Sequence, residues 1–312
     1  MGFVEGKIVE EKVFGGKVFP KTLLPGNTCD LIEMVRGDRQ WLSDLLQQHG
    51  AILFRGFGIS SAEDFAHVVE AFEWDDMPYM GATTRVKVTD RIYTANEAPL
   101  DQLINFHHEM SMFKEFPSKI FFFCLEPSPE GGETSILPSH IIVEKMEEIM
   151  PDFVAKLSQV GFIIRLSTAT DADSGDKVIS KTWKELLKTD NQMEAEKRAL
   201  EKITCNSVEF HADGSAEFIF GPMDPIRELG GRRVWFKPML GYTSNERDIQ
   251  ISFGDGSPCP PEAIEAYKKI LDESCVDLSW QKGDVLLVDN LSSQHARRPG
   301  KPPRVILVSV CK

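Results

Sequence analysis

Hydrophobic runs long enough to cross a lipid bilayer are missing from this chain of 312 residues. No segment approaches the roughly 20 consecutive apolar residues that a transmembrane helix needs. The N-terminus also lacks the apolar stretch and small-residue cleavage site of a secretory signal. Gly6 stands where a myristoylation signal has serine or threonine. We therefore expect a soluble, cytoplasmic protein without a membrane partner.

Paired cysteines and an excess of basic residues are missing as well. The six cysteines are scattered, without a C-x-x-C pair, which predicts free thiols in a reducing compartment rather than disulfides or a zinc site. The net charge is −13, whereas nucleic-acid-binding proteins need basic groups to neutralise phosphates. The charge therefore argues against a nucleic-acid partner and against attachment to an anionic membrane surface. It leaves the substrate and the oligomeric state open.

Apolar residues make up 42% of the chain and charged residues 27%, which is the balance of a globular protein. No internal repeat or low-complexity linker divides the sequence. We expect a single domain over residues 1–312, with a polar, strand-poor insertion near 168–215.

Short apolar or alternating runs, most of them bounded by Gly, Pro, Asp or Asn, predict many strands. These runs are 51–57, 118–126, 133–137, 161–167, 216–220, 232–236, 284–289 and 304–310. Helical patterns occupy 38–49, 139–157, 181–203 and 261–273, and Ser60 with Glu63 predicts a capping box ahead of a further helix. The pattern favours a mainly β fold with flanking helices, with a jelly-roll or barrel core.

The segment NFHHEMSMF (105–113) carries the most informative chemistry. In an extended strand, side chains at i and i+2 share one face, so His107 and Glu109 project together while His108 points away. An imidazole and a carboxylate supply two ligands of a divalent metal site. A distant histidine completes the 2-His-1-carboxylate triad, which leaves coordination positions open and suits non-haem Fe(II). Taken alone, an H-x-E triplet is more often an exposed surface pair.

His295 is the best candidate for the third ligand. It follows the predicted strand 284–289 and lies in the loop SSQHARRPGKPPR before the last strand. In a jelly roll, such a hairpin can return beside an earlier strand. The remaining histidines lie on predicted amphipathic helices, near a helix start or in the insertion: His49, His67, His140 and His211.

The open positions of such a triad accept a bidentate 2-oxo acid and O2. The distal carboxylate of 2-oxoglutarate then needs a guanidinium, which grips carboxylates in a bidentate manner. Arg304, at the start of the last strand, can fill this role, and Arg297 and Arg298 compete for it. Thr134 in GGET (131–134) can add a hydroxyl donor, although a strand-starting threonine after a Gly-Gly turn is the simpler interpretation.

Three ordered segments resemble those of the taurine dioxygenase and clavaminate synthase superfamily. These are AILFRGFGISSAEDF (51–65), the stretch FHHEMSMF…GGETSIL (106–137) and GDVLLVDNLSSQHARRP followed by PRVILVSV. The likeness is greatest to the clavaminate-synthase-like branch, which uses Glu with H-A-R, and it covers the chain from about residue 35 to the end. The interval between His295 and Arg304 is shorter than usual in the family, which keeps Arg297 and Arg298 as possible anchors.

This resemblance implies a double-stranded β-helix fold and an oxygenase that uses Fe(II), 2-oxoglutarate and O2. It implies iron on His107, Glu109 and His295, with 2-oxoglutarate on Thr134 and Arg304. The expected reaction oxidises a small molecule, in the simplest case by hydroxylation, and releases succinate and CO2. Desaturation or cyclisation are other outcomes within the superfamily.

The substrate pocket does not transfer from the resemblance. Possible substrate contacts are Arg85, which can face an anion, and residues in or near the motif strands: Asn105, Phe106, Met110, Phe113 and Phe236. Each has a simpler role in the core or in solvent. Asn105, Asp289 and Asn290 are candidates for orienting the metal ligands. Two other functions remain open: a non-catalytic, cupin-like metal-binding or sensing module, and a zinc hydrolase that uses the same three ligands.

Overall fold

The protein is described here by a computed structural model that covers residues 2–27, 30–81, 83–172, 181–229, 231–241 and 249–312. Cys29, one of the six predicted free thiols, lies outside these ranges. The other five cysteines are unpaired. Within the same ranges, none of the helices is both long enough and apolar enough to cross a membrane.

Short strands dominate the described part of the chain. The strands are β1 (Phe3–Glu5), β2 (Lys12–Phe14), β3 (Lys17–Phe19), β4 (Lys21–Pro25), β5 (Ala51–Phe54), β6 (Lys87–Thr89), β7 (Ile92–Thr94), β8 (Ile104–His107), β9 (Lys119–Glu126), β10 (Thr134–Pro138), β11 (Phe162–Ser167), β12 (Ser207–Phe210), β13 (Ala216–Met223), β14 (Ile226–Leu229), β15 (Arg232–Trp235), β16 (Ile249–Phe253), β17 (Val276–Leu278), β18 (Val285–Asp289), β19 (Ser293–Arg297) and β20 (Val305–Cys311). The helices are α1 (Leu31–His49), α2 (Ala62–Ala71), α3 (Ser139–Ile149), α4 (Pro151–Val160), α5 (Trp183–Leu187), α6 (Gln192–Lys202) and α7 (Pro261–Ser274).

Two sheets face each other across a common apolar core. The larger sheet has the strand order β1-β4-β5-β18-β9-β20-β7-β6, and the smaller has the order β17-β10-β19-β8. Phe122 and Leu286 of the larger sheet belong to the same core cluster as Ile136 and Leu278 of the smaller one. Burial of these side chains, at about 25 cal/mol per Å² of apolar surface, holds the sheets together.

Helices cover the outer face of the larger sheet. Phe121 and Phe123 point away from the inter-sheet core and pack with residues of α1 and α2. Strand β9 is therefore buried on both faces, which explains its continuous apolar run. The outer face of the smaller sheet contributes Phe106 and Ala296 to a third cluster, with α3, α4, α7 and a separate sheet of order β12-β13-β11-β16.

The predicted strands and helices are observed with shifted boundaries, but further short strands occur outside the predicted runs. The helical pattern over 139–157 forms two helices, because Pro151 starts a new one after Met150. The pattern over 181–203 likewise divides into α5 and α6. The predicted Ser60–Glu63 capping box is wrong by one residue: Ser61 caps α2, and Asp64 completes the box. The sequence runs do not predict these short strands, each of three to five residues: β1–β4, β6, β7, β12, β14, β16, β17 and β19.

A buried polar network joins three segments at one end of the smaller sheet. His108 is fully buried, and its Nδ1 lies 2.5 Å from the carbonyl oxygen of Asn290. Because a carbonyl only accepts, Nδ1 must donate, and Nε2 accepts from the Ser139 hydroxyl at 2.8 Å. Burial lowers the pKa of His108 to about 4, so the ring is neutral at neutral pH.

This network makes stability depend on pH. The folded pKa of His108 lies below its unfolded value of about 6.5, so the unfolded chain takes up the proton first and stability falls as the pH drops below about 6.5. The unfolding free energy of the wild type should decrease between pH 7 and pH 5, and in His108→Gln we expect this decrease to be smaller by about 2 kcal/mol. Urea denaturation at both pH values measures this. His67→Gln, at an exposed position on α2, is the control, and an unchanged pH slope in His108→Gln would contradict the assignment.

Candidate metal centre

Three potential metal ligands converge between the two facing sheets. Strands β8 and β19 are antiparallel neighbours, with His107 and His295 as direct register partners. Their ring centroids are 4.3 Å apart. Glu109 joins them, with Oε2 at 3.7 Å from Nε2 of His295. One donor atom from each of the three residues lies within 4.8 Å of the others, and no other such group occurs among the described residues.

The local structure that brings these residues together differs from the expected one. Strand β8 ends at His107, so Glu109 lies in the following turn rather than two residues along the same strand. The turn reverses at Met110, whose φ is 56°. His295 lies in the middle of β19, in a segment that was predicted to be a loop.

Both imidazoles are held in the neutral state. Burial lowers the pKa of His107, and it lowers that of His295 well below the usual value, with the neighbouring rings and Arg85 adding to the effect on His295. Nδ1 of His107 lies 2.8 Å from the carbonyl oxygen of Asn105 and must therefore donate. This bond places the lone pair of His107 on Nε2. Neutral imidazole is the form that binds metals.

Asn290 fixes the backbone of Glu109 from the turn between β18 and β19. Its Oδ1 accepts from the Glu109 N–H at 2.7 Å, and its Nδ2 donates to the Glu109 carbonyl at 3.1 Å. Nδ2 also donates to the carbonyl of Pro117 at 2.7 Å. The amide thereby connects the turn that precedes His295 to the turn that carries Glu109.

Arg85 contacts the carboxylate of Glu109 directly. Nη2 donates to Oε2 at 2.7 Å, and the two side chains are only 7% and 5% exposed. The guanidinium lies 4.0 Å from the ring centroid of Tyr79, a cation–π geometry. Its Nε is buried and has no hydrogen-bond partner among the described residues. The arginine is therefore fixed but retains an unused donor.

Arg304 and Thr134 lie together at the edge of the same cavity. Nε of Arg304 donates to the carbonyl of Gly132 at 2.7 Å, and Nη2 lies 3.4 Å from the Thr134 hydroxyl oxygen. Trp280 donates to the same hydroxyl oxygen at 3.0 Å. Burial lowers the pKa of Arg304 to about 10, so it stays charged. No carboxylate of the described residues lies within ion-pair distance of it.

The two neighbouring arginines are engaged elsewhere. Arg297 uses both Nη atoms to donate to four carbonyls of the segment 96–102, at 2.6–3.3 Å. Arg298 pairs with Asp277 and Asp272, each at 2.9 Å. Arg297 lines the cavity of the three ligands, whereas Arg298 lines a different groove.

The cavity itself has a volume of about 100 Å³ and combines polar and apolar walls. Met110 and Arg85 line it, as expected from the sequence. Asn105 and Phe106 line the other groove instead, and Asn105 donates to the carbonyl of Gly241 at 2.7 Å. Phe236 packs against the ring of His108 at 4.5 Å and is not among the residues that line the cavity.

Several lining residues were not anticipated from the sequence. Except for Phe122, which lies within the motif-bearing stretch 106–137, they come from segments without a motif: Tyr79, Thr83, Asn96, Leu166, Leu186, Ile203, Phe218 and Phe220. Hydrophobic patterning indicated that some of these side chains are buried, but it does not distinguish a core position from a cavity wall.

The chain matches a known family and known proteins over nearly its whole length. The family described as taurine catabolism dioxygenase TauD, TfdA matches residues 28–311. A clavaminate synthase-like protein of Arabidopsis thaliana is 39% identical over 99% of this chain and 98% of its own length. The dapdiamide synthesis protein DdaC of Enterobacter agglomerans is 24% identical over 86% of this chain and 84% of its own length.

Solved structures share the fold at low sequence identity. PvcB of Pseudomonas aeruginosa superposes with a TM-score of 0.54 at 14% identity, and a taurine dioxygenase of Burkholderia xenovorans with 0.52 at 14%. Each match covers 93% of this chain and 85% of the solved one. With nearly the whole chain matched by the family and by a full-length relative, the protein is a member of the TauD/TfdA dioxygenase family.

Proposed function

We propose that this protein is an Fe(II)- and 2-oxoglutarate-dependent oxygenase of a small molecule. His107, Glu109 and His295 hold the iron, and Arg304 with Thr134 holds the distal carboxylate of 2-oxoglutarate. The observation that carries the proposal is the convergence of two neutral imidazoles and one carboxylate within 4.8 Å inside a cavity. The same proposal takes the two facing sheets as a double-stranded β-helix and the whole chain as one domain with the insertion near 168–215.

The residues present fit a non-haem iron. Two imidazoles and one carboxylate form the facial triad that such sites use, and three protein ligands leave room for further ones. Nε2 of His295 and Oε2 of Glu109 lie 3.7 Å apart, close enough for both atoms to ligate one ion. A solved relative, PvcB, is described as an Fe, α-ketoglutarate dependent oxygenase. Bound iron would supply the activation of O2, coupled to conversion of 2-oxoglutarate to succinate and CO2 and to oxidation of the substrate.

The protein's own residues prepare the ligands for this task. The Asn105 carbonyl orients the ring of His107, and the Asn290 amide fixes the turn that carries Glu109. A carboxylate offers about four lone-pair sites, so Glu109 can ligate a metal while it still accepts from Arg85. Such outer partners typically change metal affinity by roughly 10- to 100-fold.

Removal of one ligand tests the metal assignment. We expect wild-type protein, titrated anaerobically with Fe(II) and 2-oxoglutarate, to develop a visible charge-transfer band and to form succinate when O2 is admitted. His295→Ala should lower Fe(II) affinity by more than the roughly 100-fold upper range of outer partners. His140→Ala, on α3 and outside the cavity, is the control. If Zn(II) restored a hydrolytic activity and no succinate formed, the protein would be a zinc hydrolase. If it neither bound iron nor formed succinate, it would be a non-catalytic module.

The contacts of each arginine indicate which one binds the distal carboxylate of the keto acid. Arg304 is a half-buried cation at the cavity edge without an ion-pair partner among the described residues. A dianionic keto acid would supply that partner, whereas Arg297 has already committed its Nη hydrogens to backbone carbonyls. Thr134 stands beside Arg304 and can donate its hydroxyl hydrogen, since it accepts from Trp280.

Substitution of Arg304 should therefore weaken 2-oxoglutarate binding. A hydrogen bond to a charged group contributes about 1.5–3 kcal/mol, so Arg304→Ala is expected to raise the Kd of 2-oxoglutarate roughly 10- to 100-fold, with Fe(II) affinity largely retained. The charge-transfer band measures both. Arg298→Ala, which breaks the Asp277 and Asp272 pairs and a hydrogen bond to Cys275 Sγ outside the cavity, is the matched control. A larger effect in Arg298→Ala would reverse the assignment.

Formal charges in the cavity favour an anionic substrate group next to Arg85. Iron would bring two positive charges, and each of the three arginines that line the cavity, Arg85, Arg297 and Arg304, brings one. Glu109, the only carboxylate among the described lining residues, and a dianionic keto acid supply only three negative charges, so positive charge is left uncompensated. Unpaired buried charge is strongly unfavourable. The guanidinium of Arg85 lines the cavity and provides a contact for a carboxylate or similar group.

Variants of Arg85 test this charge requirement. Protein loaded with Fe(II) and 2-oxoglutarate is titrated with amino acids and small carboxylates, and shifts of the charge-transfer band report binding. Arg85→Gln should weaken the binding of responsive anions roughly 10- to 100-fold, whereas Arg85→Lys, which keeps the charge, should recover part of the loss. Unchanged anion affinity in Arg85→Gln would remove the anionic substrate from the proposal.

A further inference from the structure

An apolar wall forms part of the cavity and comes from outside the motif strands. Its members are Leu166, Leu186, Ile203, Phe218 and Phe220. Leu166 and the two phenylalanines lie on β11 and β13, in a sheet separate from the one that carries His107 and His295. Leu186 lies on α5, and Ile203 directly follows α6.

The segments that carry this wall are firmly connected to each other. Arg198 of α6 donates to the carbonyls of Leu187 and Lys188 at the end of α5, at 2.9 and 2.5 Å. Trp183 of α5 packs edge-on against Phe210 with centroids 4.9 Å apart. Helix α6 and β12 therefore hold α5 in place, and the wall is a built part of the fold.

The wall is also attached to the turn that follows Glu109. The Thr204 N–H and hydroxyl both donate to the carbonyl of Met112, at 2.9 and 3.0 Å. Phe113 forms a bridge with Ile203, and the Lys114 N–H donates to the carbonyl of Lys202 at 2.9 Å. The position of the wall relative to the candidate ligand Glu109 is thereby fixed through main-chain hydrogen bonds.

Two members of the wall are only partly covered by other side chains of the core. Leu166 and Leu186 are half-buried, whereas Phe218 and Phe220 are at most 1% exposed. Ligand cavities are typically lined by apolar side chains with a few polar groups that set orientation. Here the polar groups are the candidate ligands and arginines, and the apolar surface is the wall.

We propose that this wall selects the substrate, and that the substrate carries an apolar body, aliphatic or aromatic, beside the carbon that is oxidised. The inference rests on the proposed function for its chemistry, but the wall can be tested without turnover. It assigns a role to Leu166 and to residues 181–220, which contain none of the sequence motifs.

A homologous series of ligands isolates the contribution of the wall. We would titrate n-alkyl carboxylates from propionate to octanoate, and the matching primary alcohols, by calorimetry with and without Fe(II) and 2-oxoglutarate. Each methylene that enters the wall should tighten binding about three- to fourfold. The rise in affinity with chain length measures the contribution of the wall. The difference in affinity between each acid and the matching alcohol measures the contribution of Arg85, and the charge-transfer band measures binding of iron and keto acid.

Substitutions at the half-buried positions should change that slope without unfolding the protein. Leu186→Trp fills the cavity, so the affinity should stop rising at a shorter chain and fall about 10-fold or more for octanoate. Leu166→Trp on β11 should act in the same direction. Met193→Trp, 82% exposed on α6, is the matched control and should keep the wild-type slope, with thermal melts verifying the fold of each variant.

The outcomes separate this inference from the proposed function. The proposal that the wall selects the substrate would be wrong if the wild-type affinity did not depend on alkyl chain length. It would also be wrong if affinity rose with chain length equally in wild type and Leu186→Trp. If affinity rises with chain length but no charge-transfer band forms, the wall's role is supported and the iron and keto-acid assignment is rejected. If the band forms but affinity does not depend on chain length, the iron and keto-acid assignment is supported and the wall's role is rejected.

Discussion

The antiparallel pairing of β8 with β19 is the constraint on which the candidate site depends. It makes His107 and His295 register partners although 187 residues separate them in sequence. A shift of one residue would turn one of the rings to the opposite face of the sheet, where Phe106 and Ala296 pack against the helices. The buried residues of that face therefore fix the register, and the register fixes the distance between the imidazoles.

Glu109 needs a second constraint, because it lies beyond the end of β8. The amide of Asn290 supplies it by pairing with both the N–H and the carbonyl of Glu109. Asn290 belongs to the turn that leads into β19, so the same short segment sets the backbone of the carboxylate and the start of the strand that carries His295. Full burial of Asn290 strengthens these hydrogen bonds and makes an unsatisfied alternative costly.

Sequence reasoning selected the residues that the fold brings together at the cavity, but not their geometry. The residue types and their order pointed to the three candidate ligands, Thr134 and the candidate arginines. Strand periodicity does not bring Glu109 beside His107, since β8 ends at His107 and Glu109 lies in the following turn. The choice between Arg304, Arg297 and Arg298 depends on which carbonyls and carboxylates each guanidinium contacts in the fold. These contacts join residues that are distant in sequence, so the local sequence does not predict them. Asn105 and Phe106 were placed near the motif strand correctly, but they line another groove.

The electrostatics of the cavity and the position of its apolar wall have a common structural origin. Arg85 stacks on Tyr79, and Lys181 donates to the carbonyl of Gly81 at 2.9 Å, which joins the start of the described stretch 181–229 to the segment that carries Arg85. At the other end, Thr204 holds the wall to the turn after Glu109. The stretch that resembled a polar insertion is thus bonded to the cavity at two points. A change in its length or sequence would alter the apolar wall while β8 and β19 keep the three candidate ligands in place, so one metal geometry can serve different substrates.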